Sequence, residues 1–241
     1  MTESWHEGMA PFMRALEYVG TLAGAVSGIR LACRKRFDWF GAYVIGFVTA
    51  LGGGTLRDVM LLRHPFWMTD GSYVLTTVVA LAAVWLFGRR FIGGQVTWFV
   101  FDTVAISVFM VIGMEKTIVV FEAKAPGVDC AWWVAVAMGV ITAVFGGVLR
   151  DICINEVPLI FRKEIYAMAC VAGGMLWYVL YWCGVDDPFV RYIAAVLLVF
   201  VIRALAIKYH LGMPVFTGRG YHFPTHNHHH PERPEKKKDN E

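Results

Sequence analysis

Glycine, arginine and aspartate form a short motif inside an apolar stretch of this sequence. Gly52, Gly53 and Gly54 precede Arg57 and Asp58 in the run GGGTLRD. Adjacent glycines tolerate non-helical dihedral angles, and a charge at the centre of a membrane helix costs about 3 kcal/mol unless it faces protein or water. The motif therefore predicts a helix that kinks or unwinds at its glycines, beside a charged constriction of a polar pathway.

The motif occurs a second time, as Gly146, Gly147, Arg150 and Asp151. Sliding the chain by 93 positions aligns GFVTALGGGTLRDVMLLRHP (46–65) with GVITAVFGGVLRDICINEVP (139–158), and nine of the twenty positions are identical. Chance matching of apolar sequence would not reproduce an Arg-Asp pair. The sequence therefore contains an internal duplication.

Arg57 and Arg150 are open to two interpretations. Neighbours at i and i+1 point in different directions on a helix, so each arginine is expected to bond elsewhere, such as to the other repeat's aspartate or to freed carbonyls. The charges then either lock the two repeats together or guard a polar pathway as gating charges. The interpretations are compatible, because a lock beside a pore is also a gate.

Two acidic residues extend the duplication more weakly, since a shift of 85 positions sets Glu17 against Asp102. One interpretation makes them vestibule acids that concentrate cations, and the other makes them solvated helix ends. Arg203, near the end of the last apolar stretch, is predicted to snorkel to the cytoplasmic surface.

Composition identifies the solvent of the helices as lipid. Hydrophobic residues make up 57% of the chain and charged residues 17%, against about 45–50% and about 25% in soluble domains. Apolar runs long enough to span a bilayer lie at 16–33, 39–62, 73–88, 95–114, 131–154, 165–183 and 189–210. The predicted fold class is an all-α membrane protein with seven transmembrane helices.

Each copy of the duplication contains three of these helices, so the second copy must enter the membrane inverted. The predicted organisation is two inverted three-helix repeats plus a seventh helix. Its parts are an extracytoplasmic segment (1–15), repeat 1 (16–92), repeat 2 (93–185), the seventh helix (186–212) and a disordered cytoplasmic tail (213–241).

Basic residues predict the orientation of the chain. The links after the first, third and fifth helices hold Arg34 to Arg36, Arg89, Arg90, Arg162 and Lys163, and the tail adds more. By the positive-inside rule the N-terminus is outside and the C-terminus cytoplasmic. The net charge of +3 fits this orientation and does not indicate nucleic-acid binding.

Several classes of chemistry lack a signature in the sequence. The five cysteines include no CxxC pair, and we expect no metal site, cofactor or catalytic residues. Cys130 and Cys183 fall at the same predicted membrane face, which raises a disulfide as a minor alternative to two apolar cysteines. In the first helix, Gly20, Gly24 and Gly28 form a GxxxGxxxG face that suits close packing within or between subunits.

The paired segments GGGTLRD and GGVLRD, each followed by proline, and the run NEVPLIFRKEIYA (155–167) resemble the bacterial branch of the trimeric intracellular cation (TRIC) channel family. The same family is also known as the glycine transporter family. The resemblance covers about residues 16–210. The Lys-Val-Gly motif of the animal channels is absent here, so the lipid-headgroup binding and the calcium or voltage control of those channels are not carried over.

The resemblance implies a homotrimer in the bacterial cytoplasmic (inner) membrane, with one pore per subunit between the second and fifth helices and potassium as the permeant ion. Both glycine motifs with their Arg-Asp pairs would then surround the pore. The main alternative is a secondary transporter for glycine or another small amino acid, because inverted repeats and broken helices are also found in transporters. A third alternative is a membrane scaffold in which the Arg-Asp pairs are only locks.

Overall fold

The computed structural model describes residues 2–88, 95–124, 127, 129–162, 165–185, 187–209 and 211–212. The predicted disordered tail (213–241) lies outside the described residues, as do Arg89, Arg90 and Lys163 of the basic links. The described residues fold into helices, and we number the seven longer ones in chain order. Their bounds are α1 Thr2–Arg34, α2 Trp39–Met60, α3 Ser72–Leu86, α4 Gln95–Lys124, α5 Trp132–Cys153, α6 Ala167–Trp182 and α7 Pro188–Lys208.

Helix lengths agree with a membrane protein. By length and composition, α2, α5, α7 and residues Phe99–Lys124 of α4 can each cross a bilayer, among the residues described. The apolar helices α3 and α6 have 15 and 16 residues, or about 23 Å at 1.5 Å per residue, against a hydrocarbon core of about 30 Å. The all-helical membrane fold is confirmed, and the count of seven spans stays a prediction.

Helix α4 is longer than predicted, because it continues from residue 114 to Lys124. Glu115 and Lys116 ended the apolar run in the sequence, yet both charges find partners inside the protein. Glu115 accepts a hydrogen bond from Tyr192, and Lys116 forms an ion pair with Glu17. Because both charged side chains are paired inside the protein, they do not have to reach water. The helix can therefore continue past them.

The glycines do not break their helices, contrary to the prediction. Both α2 and α5 are continuous through the motif. A Cβ on Gly53 would lie 2.0 Å from the Thr142 carbonyl oxygen, and one on Gly146 would lie 2.1 Å from the Thr49 carbonyl oxygen. The absent side chains therefore let two intact helices touch backbone to backbone. Gly53 of α2 meets Thr142 of α5, and the earlier Thr49 of α2 meets the later Gly146 of α5. The two helices therefore cross in antiparallel directions.

Helices α1 and α4 pack on α2 and α5 through matching contacts. A Cβ on Gly28 would lie 2.4 Å from Thr49 Oγ1, and one on Gly113 would lie 2.6 Å from Thr142 Oγ1. Each threonine hydroxyl donates to the carbonyl four residues earlier in its own helix, at 2.6 and 2.7 Å. Both hydroxyls are thus satisfied beside the glycine crossing.

The GxxxGxxxG face of α1 packs within the chain. A Cβ on Gly20 would lie 3.1 Å from the Phe109 ring of α4, and one on Gly24 would lie 3.2 Å from Ala50 Cα of α2. This face therefore serves packing inside the subunit, one of the two alternatives open from the sequence. Cys130 and Cys183 are both free, so the minor disulfide alternative is not realised.

Candidate functional site

Two clusters of ion-paired side chains and their neighbours, most of them buried, lie on opposite sides of the α2–α5 crossing. The Arg57 cluster comprises Glu17, Arg57, Asp58, Phe66, Tyr73 and Lys116. The Arg150 cluster comprises Ser27, Asp102, Arg150, Asp151, Tyr166 and Arg203. Each motif arginine stands four residues after the crossing glycine of its helix, or about 6 Å along the axis. Because the helices are antiparallel, the two arginines lie on opposite sides.

Each arginine pairs with the aspartate that follows it, whereas the sequence led us to expect partners elsewhere. Arg57 Nε donates to Asp58 Oδ1 at 2.8 Å, and Arg150 Nε donates to Asp151 Oδ1 at 2.8 Å. These neighbour pairs form because a long guanidinium stem can fold back alongside the next residue, although the two Cβ atoms diverge. Neither pair joins one repeat to the other. For Arg150, partners elsewhere are also present, in Asp102 and Ser27.

The second oxygen of each aspartate holds the chain that returns after the helix. Asp58 Oδ2 accepts from the Phe66 N–H at 2.9 Å, and Asp151 Oδ2 accepts from the Leu159 N–H at 3.1 Å. These N–H groups begin a short helix at Phe66–Thr69 and a 3-10 turn at Leu159–Phe161, each directly after a proline. The aspartate therefore fixes both the arginine and the segment that follows.

The backbone after each motif has the same geometry. Leu62 and Asn155, which are 93 positions apart, both have positive φ, at 54° and 57°. The N–H five residues after each motif aspartate donates to that aspartate's carbonyl, at 2.8 Å in both copies. Local structure thus follows the sequence duplication at a shift of 93 positions.

Glu17 binds two partners in the Arg57 cluster. The Tyr73 hydroxyl donates to Glu17 Oε2, and the Lys116 ammonium pairs with Glu17 Oε1. The Arg57 guanidinium and the Lys116 ammonium both lie near the Phe66 ring, at 5.7 and 5.4 Å from its centroid. Glu17, Arg57, Phe66 and Lys116 border a cavity with room for about one water molecule.

Asp102 lies between two arginines in the Arg150 cluster. Arg150 Nη1 donates to Asp102 Oδ1 at 2.9 Å, and Arg203 Nη2 donates to Asp102 Oδ2 at 3.1 Å. Arg150 also reaches Ser27 of α1 at 3.2 Å, and the Arg203 guanidinium lies 4.6 Å from the centroid of the Tyr166 ring. Among the contacts of the two clusters, the Arg150–Ser27 hydrogen bond and the Glu17–Lys116 ion pair each join one predicted repeat to the other.

Three predictions about isolated charges differ from the structure. Glu17 and Asp102 are 7% and 3% exposed, and Arg203 is 1% exposed. Both acids are therefore buried in ion pairs and are neither solvated helix ends nor open vestibule acids. Arg203 does not snorkel, because Asp102 offers it a charged partner inside the protein.

Sequence reasoning missed several members of the clusters, although one signal was available. Tyr73 and Tyr166 are 93 positions apart, and each lies in the cluster of its own repeat. Extending the duplication past the motif would have found both. Lys116 and Ser27 have no counterpart of like chemistry at the corresponding shift, so only the structure reveals them.

Formal charges balance in each cluster. Arg57 and Lys116 face Asp58 and Glu17, while the other cluster sets Arg150 and Arg203 against Asp102 and Asp151. Removing one partner of a buried pair costs about 3–5 kcal/mol, because the remaining charge is left uncompensated. We therefore expect the removal of any one of these charges to destabilise the protein.

An exposed ion pair joins the ends of α1 and α5. Lys35 binds Glu156, which also accepts from Arg162 at 3.2 Å. The hydrogen bond from Lys35 holds the pKa of Glu156 below its usual value. Since the pKa is lowered on folding, the pair's contribution to stability is present at neutral pH and is lost as pH falls through the lowered value.

This arrangement of apolar helices around an antiparallel glycine crossing defines a helical membrane protein of the TRIC cation channel fold. The crystal structure of the TRIC channel orthologue from Rhodobacter sphaeroides matches with a TM-score of 0.73 at 32% identity, covering 83% of this chain and 99% of that one. A second structure, which concerns conductance through TRIC cation channels, matches with a TM-score of 0.72 at 31% identity, covering 86% and 98%.

The chain belongs to the glycine transporter family, whose sequence profile matches residues 14–89 and 99–182. The inner membrane protein YadS of Escherichia coli is 38% identical over 205 residues, which cover 83% of this chain and 94% of YadS. A membrane protein of Vibrio cholerae is 34% identical over 205 residues, covering 83% and 81%. The family resemblance noted in the sequence is confirmed.

Proposed function

We propose that this protein is a homotrimeric channel for monovalent cations, chiefly potassium, in a bacterial inner membrane. Each subunit would carry one pathway between α2 and α5, and we expect no enzymatic activity. The likeness to TRIC cation channels supports the transport of cations. The inverted three-helix repeats, the seven spans and the outside position of the N-terminus are parts of the same proposal.

The observation that carries this proposal is the glycine crossing with a charged cluster on each side. At the crossing, α2 and α5 meet through Gly53 and Gly146 without intervening side chains. A small outward shift of one helix there would expose backbone carbonyls, which are suitable ligands for a potassium ion. The clusters lie about 6 Å before and after that point, which suits them to control access from either side.

Glycine transport is the second candidate function. The family description supports it, and a cluster with both cationic and anionic side chains could bind both ends of a zwitterion. Transport by alternating access would be slow and saturable, whereas a channel passes ions without a full conformational cycle per ion. Potassium efflux from proteoliposomes, followed beside glycine uptake in the same preparation, tests the proposal. Glycine uptake without potassium efflux would overturn it.

The motif arginines distinguish a gate from a lock. We expect Arg57→Ala and Arg150→Ala to change potassium flux per folded protein at least several-fold, as gating charges should, and also to lower the melting temperature. Flux would be measured in liposomes after size-exclusion chromatography, so that only folded protein is compared. Unchanged flux with a lowered melting temperature would leave the arginines as locks alone.

A further inference from the structure

A further buried arginine lies away from both clusters, where α6 ends and α7 begins. Arg191 is 8% exposed. Its guanidinium carbon lies 4.7 Å from the centroid of the Trp177 ring and 5.1 Å from that of the Tyr181 ring. The two rings hold the guanidinium by cation–π contact, which favours arginine over lysine at this position.

Arg191 differs in its partners from the arginines of the two clusters. Arg57, Arg150 and Arg203 each bind a carboxylate within about 3 Å, whereas no described carboxylate lies within ion-pair distance of Arg191. The acid nearby on α4, Glu115, accepts instead from the hydroxyl of Tyr192. The protein described here therefore supplies a cation at this site without its counter-charge.

Two buried donors at the site have no acceptor. Both Arg191 Nε and Trp177 Nε1 lack a hydrogen-bond partner, although Trp177 is only 7% exposed. An unsatisfied buried donor costs about 1–3 kcal/mol. Guanidinium and indole N–H groups have no acceptor capacity, so a group that completes this site has to be an acceptor, and the positive charge of Arg191 favours an anion.

The surroundings indicate where this anion comes from. Large side chains beside the site are exposed on the protein surface, with Tyr181 at 54%, Trp182 at 62% and Phe189 at 45%. Aromatic side chains at the ends of membrane helices mark the level of the lipid headgroups. A phospholipid places its phosphate at that depth while its acyl chains cover the neighbouring apolar side chains.

We propose that Arg191 and Trp177 bind the phosphate of an anionic phospholipid at the junction of α6 and α7. The guanidinium donates to two phosphate oxygens, as planar guanidinium groups do, and the indole N–H completes the site. The lipid supplies the anion that the described residues lack at this site, and it holds the end of α6 against the start of α7. This inference does not depend on which solute the protein transports.

The test is a titration of delipidated protein in a neutral detergent, with the melting temperature as the readout. Phosphatidylglycerol is the probe, and diacylglycerol with the same acyl chains controls for contacts that do not involve phosphate. Inorganic phosphate is a third arm, which separates a headgroup from a free ion. Arg191→Met removes the cation, and Trp177→Phe keeps the ring but removes the donor. The exposed Arg63→Met controls for loss of one positive charge.

Phosphatidylglycerol should stabilise the wild type more than diacylglycerol or inorganic phosphate does. The half-saturating concentration should rise about tenfold or more for Arg191→Met, the ratio expected for a lost charge-assisted hydrogen bond. It should rise several-fold for Trp177→Phe and stay unchanged for Arg63→Met. If Arg191→Met does not fold, the comparison of Trp177→Phe with the wild type decides alone.

Three results would overturn the proposal. Equal stabilisation by phosphatidylglycerol and diacylglycerol would show that only the acyl chains bind. Equal stabilisation by inorganic phosphate at matched concentration would identify a free-ion site. The third result is a phosphatidylglycerol titration that is the same for the wild type, Trp177→Phe and Arg63→Met, and also for Arg191→Met if that variant folds. The lipid phosphate would then not bind at this site, and a second copy of the chain would be the remaining source of an anion.

Discussion

Gly53→Ala should destabilise the protein by about 1–3 kcal/mol or more, because the added methyl group has no space. Its Cβ would lie 2.0 Å from the Thr142 carbonyl oxygen. That oxygen belongs to the backbone of α5, so the helices must separate to accept it. Alanine gains about 1 kcal/mol of helix propensity over glycine, which the overlap should exceed. The measurement is the melting temperature and chemical denaturation of purified protein in detergent.

The chain supplies matched controls for this substitution. Gly146→Ala should cost as much, since its Cβ would lie 2.1 Å from the Thr49 carbonyl oxygen. Gly52→Ala should cost less, because it meets the end of the Leu149 side chain at 2.9 Å. Gly71→Ala should be neutral within about 0.5 kcal/mol, as nothing lies within 4 Å of its Cβ. A Gly53→Ala protein as stable as Gly71→Ala would refute the backbone crossing.

Asp102→Asn should destabilise the protein by about 3–5 kcal/mol, because the cluster would then hold two arginine charges against the single carboxylate of Asp151. Asp102 binds Arg150 at 2.9 Å and Arg203 at 3.1 Å, and it is 3% exposed. Arg203→Met should also destabilise, by leaving Asp102 in excess. The quantity to measure is the free energy of unfolding of both variants and of the double variant.

The double variant Asp102→Asn, Arg203→Met removes one charge of each sign. It should therefore cost clearly less than the sum of the single variants, by at least about 1 kcal/mol for residues in contact. Glu156→Gln serves as the control at an exposed pair, since water screens the Lys35–Glu156 interaction and little change is expected. Additive losses at Asp102 and Arg203 would show that the two side chains do not act as one unit.

Much of this fold is readable from the sequence because its information is local and repeated. Apolar runs placed α2 and α5 within two residues of their observed ends. The duplicated motif located Arg57 and Arg150 at equal distances beyond the crossing glycines. The helix ends follow from the lipid solvent, which the composition reveals. The positions of the two arginines follow from the internal duplication, which an alignment of the chain with itself reveals.

The errors arose where a long-range contact decides the outcome. The motif glycines were expected to open their helices. They are packing residues instead, because a methyl group on Gly53 would lie only 2.0 Å from a carbonyl oxygen of the neighbouring helix. Arg203 and Glu17 were expected at water because the sequence does not show that Asp102 and Lys116 lie beside them. Whether a charged side chain stays in water depends on whether the fold offers it a partner of opposite charge. A partner that is distant in the sequence is identified only by the structure.

The most direct test of a cation pathway between α2 and α5 is electrical recording from purified protein in planar bilayers. We expect unitary potassium currents that depend on Arg57 and Arg150 and that require no glycine on either side. Glycine uptake into liposomes of the same preparation should be no greater than into protein-free liposomes. Saturable glycine uptake, together with the absence of unitary potassium currents, would contradict a cation pathway and identify a transporter.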